Sequence, residues 1–309
     1  MPPRDIALAL CVVVLWGYNF VPIKLALLEV PPFALAALRF LVAAVPMVFF
    51  VRRPACSLPV LVGYGLAIGV GQFGLLFLSI RLGMPAGLAS LLIQLQVFFT
   101  IALSVRYLGE RIGRHNLMGA VLAGAGVTLL AFDRLRSGGA ATLAGTLLIL
   151  VAAGAWAAGN VLAKHAARRQ SSDMFRLVVW SSLVAPLPLG ALSYATEGEF
   201  APLRAIAGMS LLAWGCVLFM AIAGTLFGFA VWNALLHRHP SAAVSPFALL
   251  IPVVGLACGV LFLGETLNAF QAGAAVFVLA GLVVNVAGSR WLGPRAGLRN
   301  ALLATDPDD

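Results

Sequence analysis

Residues 85–112 read PAGLASLLIQLQVFFTIALSVRYLGERI, and residues 240–267 read PSAAVSPFALLIPVVGLACGVLFLGETL. At a constant offset of 155, Pro85 aligns with Pro240, Ser90 with Ser245, Leu95 with Leu250, Ala102 with Ala257 and Val105 with Val260. Leu108-Gly109-Glu110 then aligns with Leu263-Gly264-Glu265, giving eight identities in 28 positions, with a proline at one end and an intact Leu-Gly-Glu at the other. A period of about half the chain points to a duplicated protein. Each copy is also a continuous apolar run of membrane-spanning length.

The rest of the 309 residues agrees: 62% are hydrophobic and 10% charged. A soluble domain has about 25% charged residues and no core large enough to hide this excess. The apolar runs are long and unbroken, not alternating, so helices are expected and a barrel is not. Ten runs can be laid down, at about 6–24, 33–51, 60–80, 85–107, 115–132, 142–163, 174–195, 209–232, 240–263 and 268–288. The N-terminal run is too long for a signal-peptide core and is read as the first span. Residues 290–309 form a polar tail expected to be disordered. The net charge of +9 sits in short loops between the runs, which argues for topology and against a nucleic-acid partner. Cys11, Cys216 and Cys258 lie within apolar runs, and no spacing suggests a disulfide frame, a metal site or a cofactor.

With the N-terminus inside, fourteen Lys and Arg residues fall on the cytoplasmic side against five outside, Arg39 lying within the second run. Five spans separate the two Leu-Gly-Glu copies, an odd number, so the copies face opposite ways and both termini are cytoplasmic. Trp16 and Lys24 are matched by Trp156 and Lys164 at an offset of 140, and Phe73-Gly74 finds Phe227-Gly228. The expectation is an all-α membrane protein of ten transmembrane helices, with residues 1–136 and 137–289 as two inverted five-helix repeats. Secondary transporters use this arrangement, with substrate near the midplane where the halves meet.

WGYNFVPIK (16–24), the ALRF around Arg39, MPAGLASLL (84–92) and the paired Leu-Gly-Glu motifs resemble the EamA-type branch of the drug/metabolite transporter superfamily. The likeness covers essentially the whole chain. It implies an inner-membrane exporter of amino acids or related metabolites, with a central cavity formed mainly by spans 1, 3, 4, 6, 8 and 9. It does not fix the substrate. A membrane-embedded lipid-modifying enzyme is the alternative of another class, yet no nucleophile–base constellation is visible. No Walker motif suggests an ATP-driven pump. The partners implied are a small-molecule substrate and the lipid bilayer, with the oligomeric state open and a monomer sufficient.

Polar side chains inside spans are costly, and they face the protein interior or a watery cavity. On that ground Tyr18, Asn19, Gln72, Gln94, Phe98, Trp156 and Asn160 are the candidate substrate-binding residues. Gln94 and Phe98 share a helical face with Leu91, whereas Gln96 points about 200° away. Trp156 and Asn160 are one turn apart. The bland reading makes the amides interhelical glue, and Trp16, Trp156, Trp180 and Trp232 interfacial anchors. Pro246 and Pro252 should kink span nine and free carbonyl groups. Glu110 and Glu265 are read as caps of a turn and a helix start rather than gates. Arg39 and Lys24 are expected to snorkel toward the outer interface; a second reading has either attract a substrate carboxylate. Every acidic residue falls at a loop or helix end, which favours a facilitator over a proton-coupled antiporter.

Overall fold

The computed structural model describes residues 1–109, 112–136, 140–169, 174–198, 200–239 and 244–292. Glu110, Pro240 and the tail beyond residue 292 lie outside them. Every regular element among the described residues is helical. In chain order the apolar helices are α1 (Pro3–Ala26), α2 (Pro32–Val48), α3 (Leu58–Arg81), α4 (Ala86–Leu108), α5 (Arg114–Asp133), α6 (Leu143–His165), α7 (Met174–Glu197), α8 (Leu211–Trp232), α9 (Phe247–Leu263) and α10 (Ala269–Gly288). Eight are long and apolar enough to cross a membrane, while α2 and α9 are shorter. The ten expected runs thus become eight long helices and two short ones.

Several helices are broken where the sequence removes a backbone donor. Pro22 lacks the N–H that would bond the Tyr18 carbonyl, and α1 relaxes into a turn at Asn19. Pro252 likewise deprives the Ala248 carbonyl, within the 3-10 turn Ser245–Leu249, of its α-helical donor, and Gln94 Nε2 donates to that carbonyl at 3.3 Å. Gln94 itself sits in a 3-10 turn of α4, Ile93–Leu95. Helices α3 and α8 each contain a nine-residue π-helical stretch, Leu66–Gly74 and Phe219–Phe227. Such stretches are rare and concentrate at functional sites.

Helix α4 lies on α9, α5 on α10 and α2 on α7, while α1 packs on α8 and α9 and α6 packs on α3 and α4. Exchanging each helix for its counterpart five places along leaves this pattern unchanged. The tightest crossings are made by glycine, as expected where lipid supplies no hydrophobic drive between helices. A β-carbon on Gly17 of α1 would lie 2.6 Å from Val254 Cβ of α9, and one on Gly255 would collide with the Ser90 hydroxyl of α4.

One end of this bundle is tied across its halves by carboxylates. Gly264 ends α9 in the left-handed region at φ 63°, and Gly109 ends α4 at φ 69°, a backbone that glycine adopts without strain. The chain turns there, and Glu265 accepts hydrogen bonds from the backbone N–H groups of Ala86 and Gly87, at 2.5 and 2.8 Å, on the first turn of α4. The glutamate of the second Leu-Gly-Glu therefore caps a helix of the other half. Glu197 at the end of α7 does the same for Phe33 and Ala34 of α2, at 2.7 and 3.2 Å. Glu29 accepts from the Ser210 hydroxyl and N–H, at 2.6 and 2.8 Å, just before α8. Arg81 closes the same end by donating to the Leu27 carbonyl at 2.6 Å.

The Ser210 hydroxyl, then its N–H, holds the Glu29 carboxyl below the usual range, against a smaller opposing effect of desolvation. A depressed carboxylate stabilises the fold above its ordinary value, and that contribution is lost as pH falls through the depressed one. This tie is intact at neutral and mildly acid pH.

Candidate functional site

A cavity of about 720 Å³, its open mouth included, lies among α1, α2, α3, α4, α6, α8 and α9. The broken segments build it. The turn in α1 presents Asn19, the π stretch of α3 presents Gln72 and Phe73, the 3-10 turn of α4 presents Gln94, and the π stretch of α8 presents Gly224. Trp156 of α6 and Trp16 of α1 supply aromatic walls. A narrow side pocket adjoins it and shares Arg39, Tyr64, Ile68, Phe73 and Phe229 with it.

Of the seven residues nominated from sequence, Asn19, Gln72, Gln94 and Trp156 line this cavity. Tyr18, Phe98 and Asn160 do not. Tyr18 packs edge-on against Phe219 and Phe262, at ring separations of 5.4 and 5.5 Å. Asn160 donates to Gln96 Oε1 at 2.7 Å and Thr100 Oγ1 at 3.2 Å, joining α6 to α4 as an interhelical bond. Gln94 combines both roles, lining the cavity with an amide that also holds α9.

Three further side chains were assigned elsewhere from sequence or passed over. Trp16 is no interfacial anchor: its Nε1 donates to the Gly224 carbonyl at 2.8 Å. Its ring meets Phe229 and Trp232 at 5.4 and 5.3 Å. The repeat that pairs it with Trp156 was the available signal. Tyr64, 4% exposed, lines both pockets and carried no signal in the sequence.

Arg39 is the clear correction. It does not snorkel; it is 2% exposed, eight residues into α2, with its guanidinium 3.8 Å from the centre of the Phe73 ring. Nη2 donates to Thr225 Oγ1 at 3.0 Å. Trp180, by contrast, donates to the Val51 carbonyl at 2.9 Å, away from the cavity.

No carboxylate is among the described residues lining either pocket, and those residues hold no group of three or more potential metal ligands. The described acidic groups sit at helix ends, Asp5 against His239 at 2.6 Å and Asp133 against Asn268 at 3.0 Å. Burial along α4 is asymmetric. From Ala86 to Leu95 every residue of α4 is buried, next to the carboxylate-tied end. From Gln96 onward only Ser104 is.

An apolar multi-helix bundle with an amide-and-aromatic cavity between its halves defines a multi-pass membrane transporter. The model of the EamA-like transporter family matches this chain twice, at residues 4–132 and 143–287. The chain belongs to that family, and with it to the drug/metabolite transporter superfamily. It is 44% identical to a probable amino-acid metabolite efflux pump of Salmonella typhimurium over 94% of this chain and 97% of that protein. It is 41% identical to a probable amino-acid metabolite efflux pump of Escherichia coli, with the same coverage. A solved crystal structure, 20% identical, matches 96% of this chain and 100% of its own with a TM-score of 0.64, a likeness of fold.

Proposed function

We propose that the protein is an inner-membrane secondary transporter that exports amino acids or related small metabolites by alternating access. In this reading residues 1–136 and 137–289 are inverted repeats, both termini are cytoplasmic, and the carboxylate-tied end faces outward. The form described here is then inward-facing, with its outer end closed. One observation carries the reading: a cavity with aromatic walls, amides and a buried guanidinium lies between halves whose packing is symmetric under exchange. The names of the relatives support amino-acid metabolites as cargo. A phosphatase fused after Arg299 should be inactive and one inserted near Gly198 active; the reverse pattern would invert the assignment of sides.

That no described residue lining the cavity is a carboxylate supports a facilitator. Alternating access needs only two states of similar energy, which substrate shifts by its differential affinity. In proteoliposomes, counterflow of amino acids is expected without a pH gradient or membrane potential. Proton-driven uphill accumulation would overturn the facilitator and favour the antiporter. Trp156→Ala removes a large aromatic wall, worth about 1.5–3 kcal/mol of apolar burial. Exchange should fall about tenfold or more while the protein remains in the membrane, and an unchanged rate would remove Trp156 from the site.

A further inference from the structure

Arg39 is a buried charge with most of its hydrogen-bonding capacity unused. Only Nη2 has an acceptor, Thr225 Oγ1; Nε and Nη1 are both buried and have none among the described residues. Phe73 lies against the guanidinium face, which favours the cation but accepts none of its in-plane N–H groups. An unpaired buried donor is costly, and an unpaired charge more so. The same cavity contains a complementary orphan. Asn19, 7% exposed, has an Oδ1 with no donor. The two meet neighbouring residues of the α8 π stretch: Arg39 bonds Thr225, and Asn19 Oδ1 lies 3.0 Å from where a β-carbon of Gly224 would sit.

We infer that Arg39 and Asn19 hold the two ends of a zwitterion, the guanidinium taking a carboxylate through Nε and Nη1, and Asn19 Oδ1 accepting from an ammonium. The inference rests on the transporter reading above and narrows its substrate class to molecules carrying both groups. The side-chain amide of Gln72, which also lines the cavity, has no hydrogen-bond partner among the described residues and is free to serve either end. A simple structural role for Arg39 predicts a different outcome. A charge kept for stability would have its donors satisfied, whereas one kept for a ligand is satisfied only when the ligand arrives. Replacing a poorly paired buried charge by an apolar side chain of similar volume is commonly neutral or stabilising.

The test compares matched trios of probes. Counterflow of the common amino acids first identifies the one best exchanged by wild type. Competition then sets it against its amine, which lacks the carboxylate, and its acid, which lacks the ammonium. For leucine these are isoamylamine and 4-methylpentanoate. Wild type should prefer the amino acid to either truncated probe by at least about 30-fold, the range expected for charge-assisted hydrogen bonds in a dry site. Arg39→Met should bring the amine within about threefold of the amino acid, as one end of the ligand is no longer read. It should also melt in detergent at or above the wild-type temperature.

Arg39→Lys should keep part of the preference, and Asn19→Leu should erase the preference over the acid alone. Retention of the wild-type preferences in Arg39→Met overturns the anchor, and so does a wild type that accepts the amine as well as the amino acid. If wild type exchanges no amino acid, the proposed function fails on its own. The anchor is then decided by 4-methylpentanoate: raising the melting temperature of wild type but not of Arg39→Met sustains it, and raising neither overturns it.

Discussion

Replacing Gly255 by leucine is expected to stop transport while leaving the chain in the membrane. Helix α9 meets α4 there across the Ser90 side chain, with none from α9 itself. The ideal β-carbon on Gly255 overlaps the Ser90 hydroxyl and lies 2.5 Å from Ser90 Cβ. Ser90 cannot retreat, because it is fully buried and its hydroxyl donates to the Gly87 carbonyl at 2.6 Å. One turn further, Gly259 faces Gly87, whose Cα is 3.2 Å from where a β-carbon on Gly259 would sit.

A leucine at 255 therefore pushes α9 off the buried start of α4. Overpacking of this kind costs about 1–3 kcal/mol, and 1.4 kcal/mol is tenfold in a population. The state closed at the tied end should be disfavoured about 5- to 150-fold, and counterflow should fall with it. Cys258, buried three residues on, reports the opening. As the sole cysteine it should react about tenfold faster with an impermeant maleimide added outside. A protected Cys258 with a normal transport rate would show that this crossing need not stay closed-packed.

Glu265→Ala attacks the same closure through its hydrogen bonds. The substitution strands the Ala86 and Gly87 N–H groups at the head of a fully buried helical turn. Loss of an acidic cap costs about 1 kcal/mol on an exposed helix, and hydrogen bonds to a charged group are worth about 1.5–3 kcal/mol. An outward-open shift of about tenfold is expected, again read by Cys258. Glu265→Gln should do less, since its amide oxygen can still accept one N–H. Glu197→Ala is the control, because its cap serves α2 and not α4. It should lower the melting temperature and leave Cys258 protected. Equal labelling in the two alanine variants would mean that Glu265 holds the fold generally and does not govern the opening.

Hydropathy made the helices legible, because twenty apolar residues in a row have few other destinations. Pro252 announced the break at Ala248. The candidate site was only partly legible, for reasons of phase and of partners. Gln94 and Phe98 share a face on an ideal helix, but the 3-10 turn at 93–95 advances about 20° more per residue and carries Phe98 off it. Tyr18 and Asn19 are about 100° apart, so one cavity could not easily take both. Asn160 sits a turn from Trp156, yet Gln96 and Thr100 on α4 offered it hydrogen bonds that no single-helix pattern reveals. Arg39 was read as snorkelling because length and charge permit it. Only the arrangement of Phe73, Thr225 and the closed helices around them shows why it stays inside.

The π stretches of α3 and α8 bear on how this chain can change its length. A π turn closes each backbone hydrogen bond over five residues instead of four, and the Thr225 side-chain hydroxyl likewise reaches back five residues to donate to the Met220 carbonyl. Each stretch thus stores a residue that an α-helix of the same span would not need. Elsewhere in a span, deleting one residue rotates everything beyond it by about 100° and exchanges the lipid face for the packed one. Within Leu66–Gly74 or Phe219–Phe227 a deletion can be absorbed by tightening π to α, and the remainder of the helix keeps its facing. Single-residue gaps are therefore tolerable in these two apolar spans, at positions that touch the cavity. Insertion and deletion, ordinarily confined to loops, become a means of reshaping the pocket wall from within a membrane helix.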